Sequence, residues 1–486
     1  MASCCENLTS HFQSFRECFR SKTRSTAEQA EQYLRGLFQS PRANLEQMSE
    51  TVAETEYYSL HHLLSDAAWD FENVRRETAR QADEWIGGPE TGLLLDESGV
   101  QKKGDHSAGV ARQYNGRLGK VENSQVGVYA ALARGSQAAI IDFELFLPER
   151  WVEDAKRCQE AGIPESARVF RTKPQMAAEM VKRARAAGVR FGFIGADGLY
   201  GHATWLLFDW DDAGEVFATE VHSDQQFYFT DPGKAWVPAW EAREWAARLK
   251  RKEWHPVILR DGEKGEVRAM FAHTRVWISH PNSAQARQWH LLARRDGKEV
   301  KFMLSNAAPD TPLRELARMQ AQRHFIERAF ENAKGCCGMA DYQVRKWRAW
   351  YNHMALVCVA LLFLVKERRQ HSPYAELLSC ADVVDMLVAQ LPVKIHGRED
   401  LVRIIAERHA RRQSARDSAY RRRPPDPKNH IGEKTCLMKQ RASPASFSRV
   451  GAVAAWAAWT RGCRNCAGDR WWPGSSSASV RRSTNC

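Results

Sequence analysis

Leu93-Leu94-Leu95-Asp96-Glu97-Ser98-Gly99 is the stretch on which the reading of the fold turns. Three consecutive leucines fit a strand buried on both faces. The apolar run ends on an acid, and Ser98-Gly99 predicts a turn directly after it. A carboxylate at the tip of a buried strand is held rigidly yet reaches solvent, which suits a metal ligand; taken alone, such an Asp is equally a turn cap. A second run of the same kind follows 101 residues later (197 − 96). It reads Val189-Arg-Phe-Gly-Phe-Ile-Gly-Ala-Asp197 and leads into Gly198-Leu199-Tyr200-Gly201. Two apolar strands therefore each deliver an acid at the C-terminal end, where ligands gather in open α/β sheets.

The 486 residues, 43% hydrophobic and 27% charged, are enough for two to four domains with a real core. The net charge of +12 and pI of about 9.2 exceed what solubility needs and point to a polyanion, nucleic acid before a membrane surface. The twelve cysteines are scattered and include the adjacent pairs Cys4-Cys5 and Cys336-Cys337, which argues against a disulfide framework and for a reducing cytoplasm. The N-terminus shows no secretory signal pattern. The longest apolar run, Met354 to Val365, has twelve residues, too few for a bilayer that needs about 20. It reads as a buried core helix.

Composition divides the chain into segments. Residues 1–88 read as helices with basic faces. One start signal is Ser40-Pro41, one helix covers Tyr57 to Leu64, and one runs from about Ser65 to Trp85 with Trp69 and Phe71 on its apolar side and Arg75, Arg76 and Arg80 opposite. Such a bundle is either a DNA-binding region or a solvated bundle. Residues 89–213 carry the two acid-tipped strands. Between them lie a hairpin, Gln125–Ala133 with Ala138–Leu147 across Arg134-Gly135-Ser136, and a helix from Pro174 to Ala187. Residues 214–310 are β-rich and punctuated by turns such as Asp231-Pro232-Gly233, an antiparallel β insertion. Helix returns over 311–370 and continues, increasingly basic, over 371–425. Residues 426–486 lose periodicity and read as a disordered or out-of-frame tail.

The later helix carries a third acid. At about 100° per residue, Arg323, Glu327 and Lys334 (i, i+4, i+11) lie within about 40° of each other on one face. Phe325, Ile326, Ala329 and Phe330 form the apolar side. Taken alone this is an exposed Arg–Glu pair. With Asp96 and Asp197 it becomes a three-carboxylate set, and such a set repels itself unless a divalent cation neutralises it. Mg²⁺ prefers oxygen ligands, and two such ions suit phosphodiester chemistry. Arg323 and Lys334 would then meet phosphates.

On these stretches, namely Leu93-Leu-Leu-Asp-Glu-Ser-Gly, Ile194-Gly-Ala-Asp-Gly-Leu-Tyr-Gly and Arg323-His-Phe-Ile-Glu-Arg-Ala-Phe-Glu-Asn-Ala-Lys, the sequence resembles bacterial insertion-sequence transposases of the DDE superfamily. The branch is the one with a β-rich insertion before the last acid, and the 130 residues between Asp197 and Glu327 (327 − 197) leave room for it. The resemblance spans roughly residues 30 to 420. It implies an α/β fold with an RNase H-like catalytic core, flanked by helical N- and C-terminal regions. It makes Asp96, Asp197 and Glu327 the catalytic metal ligands for two Mg²⁺ ions, with Mn²⁺ able to substitute, and Arg323 and Lys334 the DNA-phosphate contacts. The implied substrate is double-stranded DNA, inverted-repeat ends and target, acted on by a homodimer in the cytoplasm at the bacterial nucleoid, with no membrane. One position departs: Gln320 stands where the family motif has a tyrosine that contacts a phosphate.

Other acids and aromatics have plainer readings. Glu97 and Asp105 are loop acids or supports for Asp96. Glu331 competes with Glu327 but sits about 80° from Arg323 around the helix. Asp142 and Glu144 share a strand face and should form salt bridges. Asp209, Asp211 and Asp212 read as a solvated charge run. Cys463-x-x-Cys466 lacks a second pair for zinc. Trp347, Trp350 and Tyr351 read as core, and Trp277 or Trp289 could stack on a displaced base. Two alternatives to a transposase stay open: a non-catalytic DNA-binding protein derived from one, and an RNase H-like nuclease without strand transfer.

Overall fold

The computed structural model describes residues 4–21, 24–116, 119–234, 236–262, 265–297, 299–371 and 377–421. The expected tail, including Cys463 and Cys466, lies outside the described residues. Among the described residues, those up to Lys394 form one compact unit and those from Ile395 to Arg421 belong to another.

The first unit opens with five helices: α1 (Cys4–Gln13), α2 (Ala27–Gln39), α3 (Leu45–Thr51), α4 (Tyr57–Ser65) and α5 (Phe71–Ile86). The single helix expected over Ser65 to Trp85 is broken. Asp70 accepts a hydrogen bond from the Glu72 amide at 3.0 Å and starts α5 there. Trp69 sits in the break, buried, its indole N–H donating to the Leu63 carbonyl at 2.8 Å. The arginines of α5 are largely compensated. Arg75 pairs with Glu72 and with Asp142 (2.9 Å), and Arg80 pairs with Glu77 (2.7 Å) and Glu84.

The strands follow: β1 (Gly88–Gln101), β2 (Ala111–Asn115), β3 (Lys120–Arg134) and β4 (Gln137–Leu145). After helices α6 (Glu149–Val152), α7 (Ala155–Glu160) and α8 (Lys173–Ala186) come β5 (Phe191–Ala196), α9 (Gly198–Gly201), α10 (Thr204–Asp212) and β6 (Phe217–Val221). β1 lies between antiparallel β3 and parallel β5. Leu93, Leu94 and Leu95 face Leu132, Ala131 and Ala130 on one side and Ile194, Gly195 and Ala196 on the other. All three leucines are fully buried, as a strand with both faces covered requires. α8 is set by a reciprocal cap between Thr172 and Gln175 with Pro174 in its first turn. This α/β arrangement is the RNase H-like core.

The turn expected at Ser98-Gly99 is absent. β1 runs on to Gln101, with Ser98 opposite Gly127 and Gly99 opposite Val126. Gly99 is small for packing instead, since a Cβ there would meet the Asn115 amide at 2.9 Å.

β7 (Gln226–Phe227) and β8 (Trp240–Glu241) make a separate two-stranded sheet, and α11 (Ala242–Arg248) follows. The remaining strands, β9 (His255–Gly262), β10 (Gly265–Ser279), β11 (Ala286–Asp296) and β12 (Glu299–Ser305), form an antiparallel run. β12 pairs with β6, so this β-rich stretch continues the central sheet in the order β2-β3-β1-β5-β6-β12-β11-β10-β9, with β4 also on β3.

The first unit ends with α12 (Leu313–Gln322), α13 (His324–Cys336), α14 (Trp347–His371) and α15 (Cys380–Val388); α16 (Arg398–Arg421) belongs to the second. The apolar run Met354–Val365 lies within the 25-residue α14. By length and composition this helix could cross a membrane, but 94% of its most apolar window is buried inside the protein. Some of its polar groups find partners there: the Asn352 amide donates to the Leu64 carbonyl at 2.8 Å, and His353 Nδ1 lies 2.7 Å from the Tyr33 hydroxyl, while Asn352 Oδ1 and His353 Nε2 have no hydrogen-bond partner among the described residues. α14 is the core helix. Trp350 and Tyr351 are buried with it, and Trp347 packs on Tyr351 and Phe71.

Truncating the centre of β1 should test this core. Leu94→Ala is expected to cost about 2–5 kcal/mol in urea unfolding, and a loss under about 1 kcal/mol would contradict the burial on both faces.

Candidate active site

Sheet register decides where the acids stand. Leu95 pairs with Ala196 across parallel strands, so the following residues, Asp96 and Asp197, emerge at the same level. The Glu97 amide donates to Asp96 Oδ1 at 2.7 Å. Asp197 caps α9, accepting from the Leu199 amide at 3.0 Å. Two glycines let α9 lie against β6. A Cβ on Gly201 would fall 1.9 Å from the Glu220 carbonyl oxygen, and one on Gly198 would fall 2.7 Å from the His222 ring. The Asp-Gly-Leu-Tyr-Gly pattern is thus the packing condition for the second acid.

Arg323 joins α12 to α13 and gathers the remaining charges. Its Nη2 donates to Glu327 Oε1 at 2.7 Å, its Nη1 lies 3.6 Å from Asp96 Oδ2, and its Nε lies 3.2 Å from Glu220 Oε1, off the hydrogen-bonding direction. The Arg323 side chain is 12% exposed and that of Asp96 14%, so this is a sheltered ion cluster and not a surface pair. Nearby, Lys173 reaches Glu97 at 2.8 Å, and the Tyr200 hydroxyl donates to the other Glu97 oxygen at 3.2 Å.

The charges act on one another. Burial and then the negative charge of Asp197 hold the Asp96 carboxyl well above its ordinary range, against the pull of Arg323. Burial and then Glu97 raise Asp197, again opposed by Arg323. Glu327 is lowered to about 2, first by its hydrogen bond with His324 and then by Arg323. Arg323 itself is raised, the attraction of Glu220, Asp96, Glu327 and Asp197 outweighing its burial.

Five carboxylates (Asp96, Glu97, Asp197, Glu220, Glu327) thus surround two cations, Arg323 and Lys173. An all-oxygen donor set with excess negative charge fits a hard divalent ion such as Mg²⁺. The ligand atoms of Asp96, Asp197 and Glu327 are not all within 4.8 Å of one another; the Arg323 guanidinium bridges Asp96 and Glu327.

Glu220, Lys173 and Tyr200 were not singled out from the sequence. Glu220 sits on a short strand in Ala218-Thr-Glu-Val with nothing local to mark it, and only the parallel pairing of β5 with β6 brings it to the site. Lys334 lies on α13 with its Nζ 6.0 Å from the centre of the Phe330 ring. Gln320, one turn before Arg323, is 3% exposed, and among the described residues neither its amide nitrogen nor its oxygen has a hydrogen-bond partner. Glu331 is exposed and pairs with Arg328 at 2.7 Å, while Asp105 is exposed in a loop.

Asp142 and Glu144 form the expected salt bridges, with Arg183 3.0 and 3.1 Å away. The charge run at α10 is not simply solvated. Asp211 accepts from Arg287 at 2.5 Å and from Asn306 at 2.6 Å, tying α10 to β11. Trp289 is buried against Phe208 and Phe217, which removes it as a base-stacking candidate, whereas Trp277 is half-buried.

A raised carboxyl contributes stability that is present below its unfolded value and lost as pH rises through its folded value. In EDTA the urea midpoint should therefore fall as pH rises from about 4 towards neutrality. Asp96→Asn should flatten that fall and be more stable than the parent at neutral pH. A less stable Asp96→Asn in EDTA at neutral pH would contradict the charge balance described above.

The family model described as DDE superfamily endonuclease matches residues 14–266, a span that contains Asp96 and Asp197 and stops before Glu327. A protein of Microchaete diplosiphon named "Probable transposase for insertion sequence element IS701" is 22% identical over 305 residues, 62% of this chain and 73% of the relative. A cryo-EM structure of the piggyBac transposase synaptic complex with hairpin DNA aligns over 80% of this chain and 77% of its own at 10% identity; its TM-score is 0.39, a level that carries no argument. With the family match covering more than half of its length, the chain belongs to the DDE superfamily of endonucleases.

Proposed function

We propose that the protein is a DNA transposase that cuts an insertion sequence at its terminal inverted repeats and joins the 3′-OH ends to target DNA. One observation carries this reading: acids from β1, the end of β5, β6 and α13 converge on Arg323 in one sheltered cluster. Asp96, Asp197 and Glu327 would hold two Mg²⁺ ions, with Mn²⁺ able to substitute. Such ions activate an attacking water or 3′-hydroxyl and stabilise the leaving oxygen of a phosphodiester.

The chain's own residues do the rest. Arg323 holds the acids together as their counter-ion, and with a metal held by the acids its guanidinium would be free for a bidentate phosphate contact. Lys334, further along the same helix, serves a flanking phosphate. Lys173 and Tyr200 fix Glu97 beside Asp96 and limit the repulsion at the mouth of the site. The helices of residues 1–88 and the basic region 371–425 would bind the element ends. Acting on two ends together calls for a homodimer on DNA, at the bacterial nucleoid.

The name of the Microchaete diplosiphon relative, a probable transposase for an insertion sequence element, supports the substrate class. The test uses inverted-repeat DNA from the sequence flanking the gene. Asp96→Asn, Asp197→Asn and Glu327→Gln should each leave end binding intact. Each should lower Mg²⁺-dependent cleavage about a thousand-fold or more, as the loss of several kcal/mol of metal assistance implies. A variant that cuts normally would overturn the assignment. Joining of pre-cut ends separates a transposase from a nuclease without strand transfer. Binding without cleavage in Mg²⁺ or Mn²⁺ by the parent protein would establish the non-catalytic reading instead.

A further inference from the structure

A second group of ligand-type side chains lies apart from the acids. Cys4 is the first residue of α1, and Glu367 and His371 stand one turn apart near the end of α14, on one helical face. The Cys4 sulfur, a Glu367 carboxylate oxygen and a His371 ring nitrogen all lie within 4.8 Å of one another. Among the described residues, this is the group of three or more Cys, His, Asp or Glu that closes so tightly.

Two features are poorly explained by packing alone. The Glu367 side chain is only 3% exposed, and it accepts a hydrogen bond from Asn7 Nδ2 at 3.2 Å. His371 Nε2 is buried and 3.5 Å from Glu367, yet it makes no hydrogen bond. A simple ion pair would close that gap. A shared centre would not need to, because each atom would point at the centre instead of at its neighbour. The Cys4 thiol is pushed up to about 11, first by burial and then by the charge of Glu367, to which it is also hydrogen-bonded.

We propose that Cys4, Glu367 and His371 bind a zinc ion that clasps α1 to the end of α14. The donor set is one sulfur, one nitrogen and one oxygen, the mixture Zn²⁺ takes and Mg²⁺ does not. A water would complete four-coordination. On binding, the Cys4 S–H bond breaks, its proton passes to solvent, and the sulfur lone pair forms the bond to zinc. The site is structural: it staples the first helix to the core helix on which the sheet packs, and it uses none of the residues assigned to catalysis.

Cobalt(II) added to the full-length chain is a direct probe, because thiolate ligation gives an intense charge-transfer band. Cys463→Ser/Cys466→Ser serves as background, so that the tail cysteines do not contribute. One equivalent of Co²⁺ should produce the band, added Zn²⁺ should abolish it, and Cys4→Ser or His371→Ala should remove it. In parallel, a zinc chelator should lower the unfolding midpoint of the background protein and leave that of Cys4→Ser unchanged. A band that persists in Cys4→Ser, no band in the folded background protein, or equal chelator shifts in both proteins would each overturn the proposal. None of these readouts involves DNA or Mg²⁺, so the result is independent of the transposase reading.

Discussion

Several carboxylates share one guanidinium in a sheltered site, and the rest of the structure answers to that constraint. Asp96, Glu220 and Glu327 all contact Arg323, and Asp197 feels its charge. Burying a carboxylate away from water is costly unless an opposite charge or a hydrogen bond offsets it. One cation cannot neutralise four acids with Glu97 adjacent as well. The excess is stored as raised carboxyl affinities for protons, and therefore also for a divalent ion. A site built in this way is less stable empty than filled, which is how a protein keeps affinity for an ion that gives up its water reluctantly.

The sheet makes the arrangement possible. Parallel pairing of β1 with β5 sets Asp96, within β1, level with Asp197 at the end of β5, and pairing of β5 with β6 adds Glu220. Buried leucines fix the register, since a slip of one residue would turn the core face outward. α14 lies against this framework, with Asn352 and His353 tied to Leu64 and Tyr33. The strands β9 to β12 extend the same sheet through β12, so the long segment between the second and third acids builds on the core it interrupts.

Much of this was legible in the sequence because it is local. Apolar runs ending in Asp96 and Asp197 announce strands followed by acids, although only Asp197 stands at a strand end, since β1 continues past Asp96 to Gln101, and the spacing of Arg323 and Glu327 announces a helical pair, observed at 2.7 Å. What was missed is non-local. Gly99 looks like a turn residue, but its smallness serves Asn115 on another strand, so β1 continues through it. Asp211 looks like one of a solvated run, but Arg287 and Asn306 come to it from 76 and 95 residues away. Glu220 carries no local signal at all. Arg75 looks like part of a basic face and is instead committed to Glu72 and Asp142. In each case the deciding partner is distant in the chain, and a periodicity argument does not contain it.

The central claim is that Asp96, Asp197 and Glu327 form one hard-cation site from which Arg323 is displaced on loading. Anomalous diffraction from Mn²⁺-soaked crystals of the protein bound to an inverted-repeat duplex tests it most directly. The account predicts anomalous peaks for two ions at about 2.1 Å from oxygens of Asp96, Asp197 and Glu327, and the Arg323 guanidinium moved to a DNA phosphate. Saturating Mn²⁺ bound elsewhere, with Arg323 still bridging Asp96 and Glu327, would contradict it.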